Sequence, residues 1–181
     1  MIKIVICLAL VLIAQSQTCP SACPGGTTIR FVSEALTTLV TGPKTFIQAP
    51  AVLNTFIHGA WTASIPGSSW ISDEPVLSVS LSPPETFRYY TRFINLPCSP
   101  TSATIVWAAD NSLKTYVNGQ YVPACSNQNE NNHGSAKTCN ILSLLTVGNN
   151  VISWVVRNWA QGNGSPYSNP TGLMYRIEAV V

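Results

Sequence analysis

Thr86-Phe87-Arg88-Tyr89-Tyr90-Thr91-Arg92-Phe93-Ile94-Asn95-Leu96 alternates along its whole length and ends at Pro97. A period of two residues puts Phe87, Tyr89, Thr91 and Phe93 on one face and Arg88, Tyr90, Arg92 and Ile94 on the other, as in a β-strand. Working outward, short β-type runs alternate with turn residues. Thr28 to Ser33, Leu36 to Thr41, Trp61 to Ile65, Val76 to Leu81, Thr104 to Ala108 and Leu113 to Val117 read as strands. Asn118-Gly119 is a tight-turn signal, because both residues tolerate positive φ. Ile141 to Val147 and Val151 to Val156, around Gly148-Asn149, read as a hairpin. The second of these is apolar on both faces, as a central strand would be. Gly172 to Val181 closes the chain as a last strand. No stretch sustains a 3.6-residue period, so the pattern predicts an all-β, antiparallel two-sheet sandwich. Trp70, Phe93, Trp107 and Trp154 are the expected core aromatics.

Composition narrows the function classes. Only 9% of the 181 residues are charged, against roughly 25% in ordinary soluble domains. The formal net charge is +2. Nine scattered Lys and Arg cannot neutralise a phosphate backbone, so nucleic acid is excluded as a partner. The surface must meet water through hydroxyls and amides instead. These concentrate in two segments, 126–138 and 158–169.

The leading residues predict export. Met1-Ile2-Lys3, an apolar run Ile4 to Ala14 and the small-residue stretch Ala14-Gln15-Ser16 read as a signal peptide over 1–16. The run is too short to span a bilayer, which takes about 20 apolar residues. Residues 17–26 form a Cys/Pro/Gly-rich tether, and 27–181 a single domain. Beyond the leader's Cys7, five cysteines remain. Cys125 and Cys139 flank a stretch that cannot build its own core and are expected to pair. Cys19, Cys23 and Cys98 cannot all pair within one chain, so one is left free or for an intermolecular bridge.

Several segments, in order across residues 61 to 179, resemble the galactose-binding-like β-jelly-roll domains of carbohydrate-binding modules and glycosidase sugar-binding domains. They are Ile65-Pro66-Gly67 with Trp70-Ile71, and Tyr89-Tyr90 with Arg92-Phe93 and Pro97. Ala109-Asp110-Asn111 with Tyr116-Val117-Asn118-Gly119 is a third, and Leu145, Gly148, Asn150-Val151-Ile152 a fourth. Asn158 with Asn169-Pro170-Thr171-Gly172-Leu173 is the last. The resemblance implies a jelly-roll sandwich and a sugar-binding role. It also implies a structural calcium ion, for which Asp73, Glu74 and Asp110 are the acidic donors available.

Catalytic parts are scarce. Asp73 and Glu74 would point to opposite faces of a strand, Glu178 has no evident mate, and His58 and His133 are the only imidazoles. An enzyme is not expected. A binder is better supplied. Sugars present hydroxyls to amides and apolar faces to aromatic rings. Trp159, Asn163, Tyr167 and Asn169, flanked by Arg157, form the first candidate site, unless Trp159 and Tyr167 fold inward to pin their loop. Asn129, Asn131 and His133 form the second, unless that loop is only a solvated tip. The expectation is a secreted, lectin-like, non-catalytic module for a glycan or glycoprotein. The alternative is an extracellular structural subunit that self-associates, through protein contacts or an intermolecular disulfide.

Overall fold

The computed structural model describes residues 25–43, 45–55, 57–74, 86–159 and 169–181. The leader, most of the tether with Cys19 and Cys23, the expected strand Val76 to Leu81, and Asn163 and Tyr167 lie outside them. Two antiparallel sheets make a sandwich. The first contains β1 (Thr28–Val32), β4 (Val52–Leu53), β5 (Ile71–Ser72), β7 (Ser102–Asp110), β10 (Lys137–Asn140) and β12 (Gly172–Val180). β12 is its hub, paired with β7 along one edge and with β1 and β5, end to end, along the other. The second runs in the order β3 (Thr45–Pro50), β2 (Leu39–Gly42), β6 (Thr86–Leu96), β11 (Gly148–Asn158), β8 (Ser112–Val117) and β9 (Gln120–Tyr121). Among the described residues no helix is long and apolar enough to cross a membrane.

The longest alternating strand is β6, as expected, and it pairs with β11 over all eleven residues. Its faces are reversed from the simplest apolar-inward reading. Arg88, Tyr90 and Ile94 are buried, whereas Phe87, Tyr89 and Phe93 are exposed, Phe93 by 60%. Phe93 is therefore not a core residue. The reason is Asp73, fully buried beneath the sheet, which forms an ion pair with Arg88. A buried charge needs a charged, hydrogen-bonded partner, and that partner sits on the even-numbered face. The core between the sheets is then filled by Trp107, Trp154, Tyr90 and Tyr175, with Trp154 and Tyr175 stacked at 4.4 Å.

Two further readings change. Trp61 to Ile65 is not a strand; with Trp70 it covers the outer face of the first sheet. Trp61 stacks on Trp70 at 4.4 Å and seals Ala108 and Met174 beneath. Gly172 permits this closeness, because a Cβ there would lie 2.7 Å from the Asn54 amide and 3.2 Å from both indoles. Ile141 to Val147 is a short 3-10 turn (Leu142–Leu144) and coil rather than half of a hairpin. The Asn118-Gly119 turn forms as expected, with φ of 50° and 81° between Val117 and Gln120.

Candidate functional site

One end of the sandwich gathers the C-terminal ends of β7 and β11 and the starts of β8 and β12. Gly172 pairs with Asp110, and Arg157 with Ser112. The chain leaves the first sheet for the second through Asp110-Asn111, so this dipeptide sits where the layers part.

Segment 126–138 and the two described ends of segment 158–169, Asn158-Trp159 and Asn169, lie here, and Asn111 bonds to both. Its side-chain oxygen accepts from the Trp159 backbone N–H at 2.7 Å. Its carbonyl accepts from the Asn132 amide at 2.8 Å. Asn132 is buried and also donates to the Asn129 carbonyl at 2.7 Å, which curls the segment onto itself. The expected solvated tip is therefore docked at Asn132, while Asn129, Glu130 and Asn131 stay exposed. The Cys125–Cys139 disulfide closes the base of this loop. Cys98 is disulfide-bonded as well, its partner lying outside the described residues. On the loop's far side His133 faces the Ala60 carbonyl at 3.2 Å, and Thr62 donates to the Gly134 carbonyl at 2.8 Å. His133 is half-buried rather than solvated. Its pKa is lowered, first by burial and then by His58 and Lys137.

The expected site residues divide. Trp159 is half-buried, and its indole N–H donates to the Ser112 hydroxyl at 3.2 Å. The Arg157 guanidinium covers its ring at 4.6 Å. Trp159 is thus anchored on β8 and lines the site as well. Asn169 is buried and donates to the Trp159 carbonyl at 3.0 Å. Its carbonyl accepts from Asn158 at 3.2 Å. Asn169 therefore bonds back to Asn158 and Trp159 rather than offering a free amide. Asn163 and Tyr167 are not among the described residues.

Two adjoining depressions result. A narrow cleft of about 130 Å³ is bounded by Asp110 and Asn111, by His58 and Ala60, by Glu130, Asn131 and His133, and by Trp159, Asn169 and Pro170. A broader groove of about 580 Å³ shares Glu130, Asn131 and Trp159 and continues over Asn127 to Asn129 towards Lys137. The groove falls within the size range of small-ligand sites, about 300–1,000 Å³. The cleft is smaller and admits a substituent, not a whole ligand.

Asp110, expected as a calcium donor, bounds the narrow cleft. It is 5% exposed, and the Trp61 indole N–H donates to its Oδ2 at 2.7 Å. Its Oδ1 is buried and receives no hydrogen bond. Burial pushes its pKa up to about 7 and the Glu130 charge adds to this, while the Trp61 bond opposes it. Asp110 and Trp61 are 49 positions apart, so only the fold reveals the pair. The available signal was an acid ending the apolar run Trp107-Ala108-Ala109 in a chain with so few charges.

Two of the acids expected as calcium donors are engaged by the protein itself. Asp73 is paired with Arg88, and Asp110 is held by Trp61. Among the described residues, which include Asp73, Glu74 and Asp110, no three His, Cys, Asp or Glu side chains gather as metal donors.

No protein-family model and no curated protein matches the chain. Similar solved structures include an α-L-rhamnosidase from Streptomyces avermitilis complexed with L-rhamnose. It is 21% identical with a TM-score of 0.46, over 78% of this chain and 12% of that one. A family 35 carbohydrate binding module from Clostridium thermocellum is 16% identical with a TM-score of 0.43, over 82% of this chain and 97% of that one. A β-D-mannosidase from Dictyoglomus thermophilum is 13% identical with a TM-score of 0.44, over 72% and 15%. The chain thus spans a small part of the two enzymes and nearly all of the module. Likenesses this distant say nothing of this chain's ligand.

Proposed function

We propose that this chain is a secreted, non-catalytic module that binds carbohydrate or glycoconjugate at the end of the sandwich where Trp159 faces the amide-rich segment 126–138. The placing of Trp159 beside the amides of 127–132, both bonded through Asn111, carries the reading. The groove presents Asn127, Gln128, Asn129 and Asn131 beside an indole. Amides exchange hydrogen bonds with sugar hydroxyls, and the indole supports an apolar ring face. The disulfides fit an oxidising compartment outside the cytosol. A glycan array, run with the full chain and with Trp159→Ala, tests this. Binding to a defined set of glycans, lost in the variant, is the expected result. No binding to any glycan overturns the reading. Glycoside hydrolysis abolished by Asp110→Asn would overturn its non-catalytic part.

A second reading, a structural subunit that packs against its own copies, is favoured by one observation. The outer face of the second sheet exposes Phe87, Tyr89, Phe93 and Tyr121. Large apolar side chains exposed on one sheet face are a feature of protein interfaces. Higher-order species in sedimentation, reduced by Phe93→Ser, would support this reading over the first.

A further inference from the structure

The narrow cleft beside Asp110 has a chemistry distinct from the amide-lined groove. Its acids are Asp110 and Glu130, close enough for Glu130 to act on the Asp110 proton equilibrium. Among the described residues no Lys or Arg bounds it. The imidazoles His58 and His133 do, and His133 is held below its ordinary pKa, so it is neutral near pH 7. The nearby cations serve elsewhere: Lys137 lines the neighbouring groove and Arg157 lies over the Trp159 ring. Within this cleft Asp110 Oδ1 is buried and accepts no hydrogen bond, whereas Oδ2 is held by Trp61.

We propose that this cleft takes a primary ammonium group, so that the saccharide bound here carries unacetylated amino sugars. The proposal rests on reading the adjoining groove as a carbohydrate site. A ring in the groove, against Trp159, would project its substituent past Glu130 and Asn131, which with Trp159 line both depressions. A sugar hydroxyl donating to Asp110 Oδ1 would satisfy that oxygen but leave the two carboxylates opposed. An ammonium group satisfies the oxygen and relieves the repulsion together. An N-acetyl group adds bulk to a cleft of only about 130 Å³ and removes the charge. A divalent metal would need a third donor, and among the described residues no such trio forms. The chain's formal charge of +2 gives no general attraction for cations, so selectivity must come from the cleft.

Isothermal titration calorimetry on the full chain, at pH 7 in 0.15 M salt, tests this with three probes of equal length. They are a β-1,4-linked glucosamine oligomer, the same oligomer fully N-acetylated, and the corresponding glucose oligomer. Charge-assisted hydrogen bonds predict about tenfold or greater preference for the amine-bearing probe. Asp110→Asn and Glu130→Gln should each abolish that preference. Glu130 is exposed, so its variant keeps the test valid if the buried one fails to fold. Equal binding of the acetylated or glucose oligomer overturns the inference, as does amine binding untouched by both variants. If the array detects glycans that depend on Trp159 but the glucosamine oligomer does not bind, the inference falls and the carbohydrate reading stands. If no glycan binds at all, both fall.

Discussion

Asp110→Asn should remove a pH dependence that one buried carboxyl builds into the stability of the whole domain. The carboxyl titrates at 3.8 when unfolded and at about 7 in the fold, chiefly because it is buried. A raised carboxyl pKa means that the folded state holds its proton more tightly than the unfolded chain. Stability is therefore greatest below 3.8, falls as pH rises through this window, and levels off above about 7. At about 1.4 kcal/mol per pH unit, ionised Asp110 costs roughly 4 kcal/mol at pH 8 as an upper bound. Asparagine keeps an acceptor for the Trp61 indole and carries no charge. It leaves a buried amide to satisfy, which costs about 1–3 kcal/mol at every pH. The variant should thus be less stable than the parent at pH 4 and more stable at pH 8. The difference between them should swing by about 4 kcal/mol across that range. Urea unfolding followed by the fluorescence of the five tryptophans, at unit steps of pH, reads it directly. His133, whose lowered pKa gives the opposite slope as pH falls, is common to both proteins and cancels. Parallel curves, within about 0.5 kcal/mol at every pH, would refute the argument that burial dominates at this carboxyl.

Three other outcomes follow from the same geometry. Asp73→Asn leaves Arg88 charged and buried, and chemical denaturation should show a loss of about 3–5 kcal/mol. Cys125→Ser with Cys139→Ser opens a fifteen-residue loop and should cost about 3 kcal/mol. The same pair should weaken glycan binding, because the loop carries Glu130 and Asn131 to the cleft. Trp159→Ala should weaken glycan binding about tenfold in calorimetry, while far-ultraviolet circular dichroism keeps its β-sheet spectrum.

Strand identity was legible where alternation was long. β6 and β12 lie almost where their patterns place them, and the Asn118-Gly119 turn follows from its two residues alone. Which face turns inward was not legible on β6. That choice depends on Asp73, fifteen positions away and meeting Arg88 only once the sheets pack. A purely apolar count favours the phenylalanine face, and the buried ion pair overrides it. The site shows the same division. Its two segments were each visible as amide-rich, but the bonds of Asn132 and Trp159 to Asn111 depend on how β7, β8 and β11 end. Asn111 reads as a turn residue in the sequence because nothing local says that its amide spans two distant loops. Trp61 was read as part of a strand. Its role as lid over Ala108 and as donor to Asp110 needs β7 already in place.

The hub position of β12 has a consequence for how the protein comes to be made. β1, β5 and β7 each find a partner in this strand, so the first sheet cannot close until residue 180 has been synthesised. At about 5–20 residues per second, β1 waits on the order of ten seconds or more after its own synthesis before β12 exists. By the end of that interval, once residue 158 has been made, the second sheet has all six of its strands, since β3, β2, β6, β8, β9 and β11 precede β12. Its inward face, with Tyr90, Ile152 and Trp154, stands uncovered in the nascent chain. That is the stage at which a chaperone would find the most to hold, and at which crowding between growing chains would be most damaging.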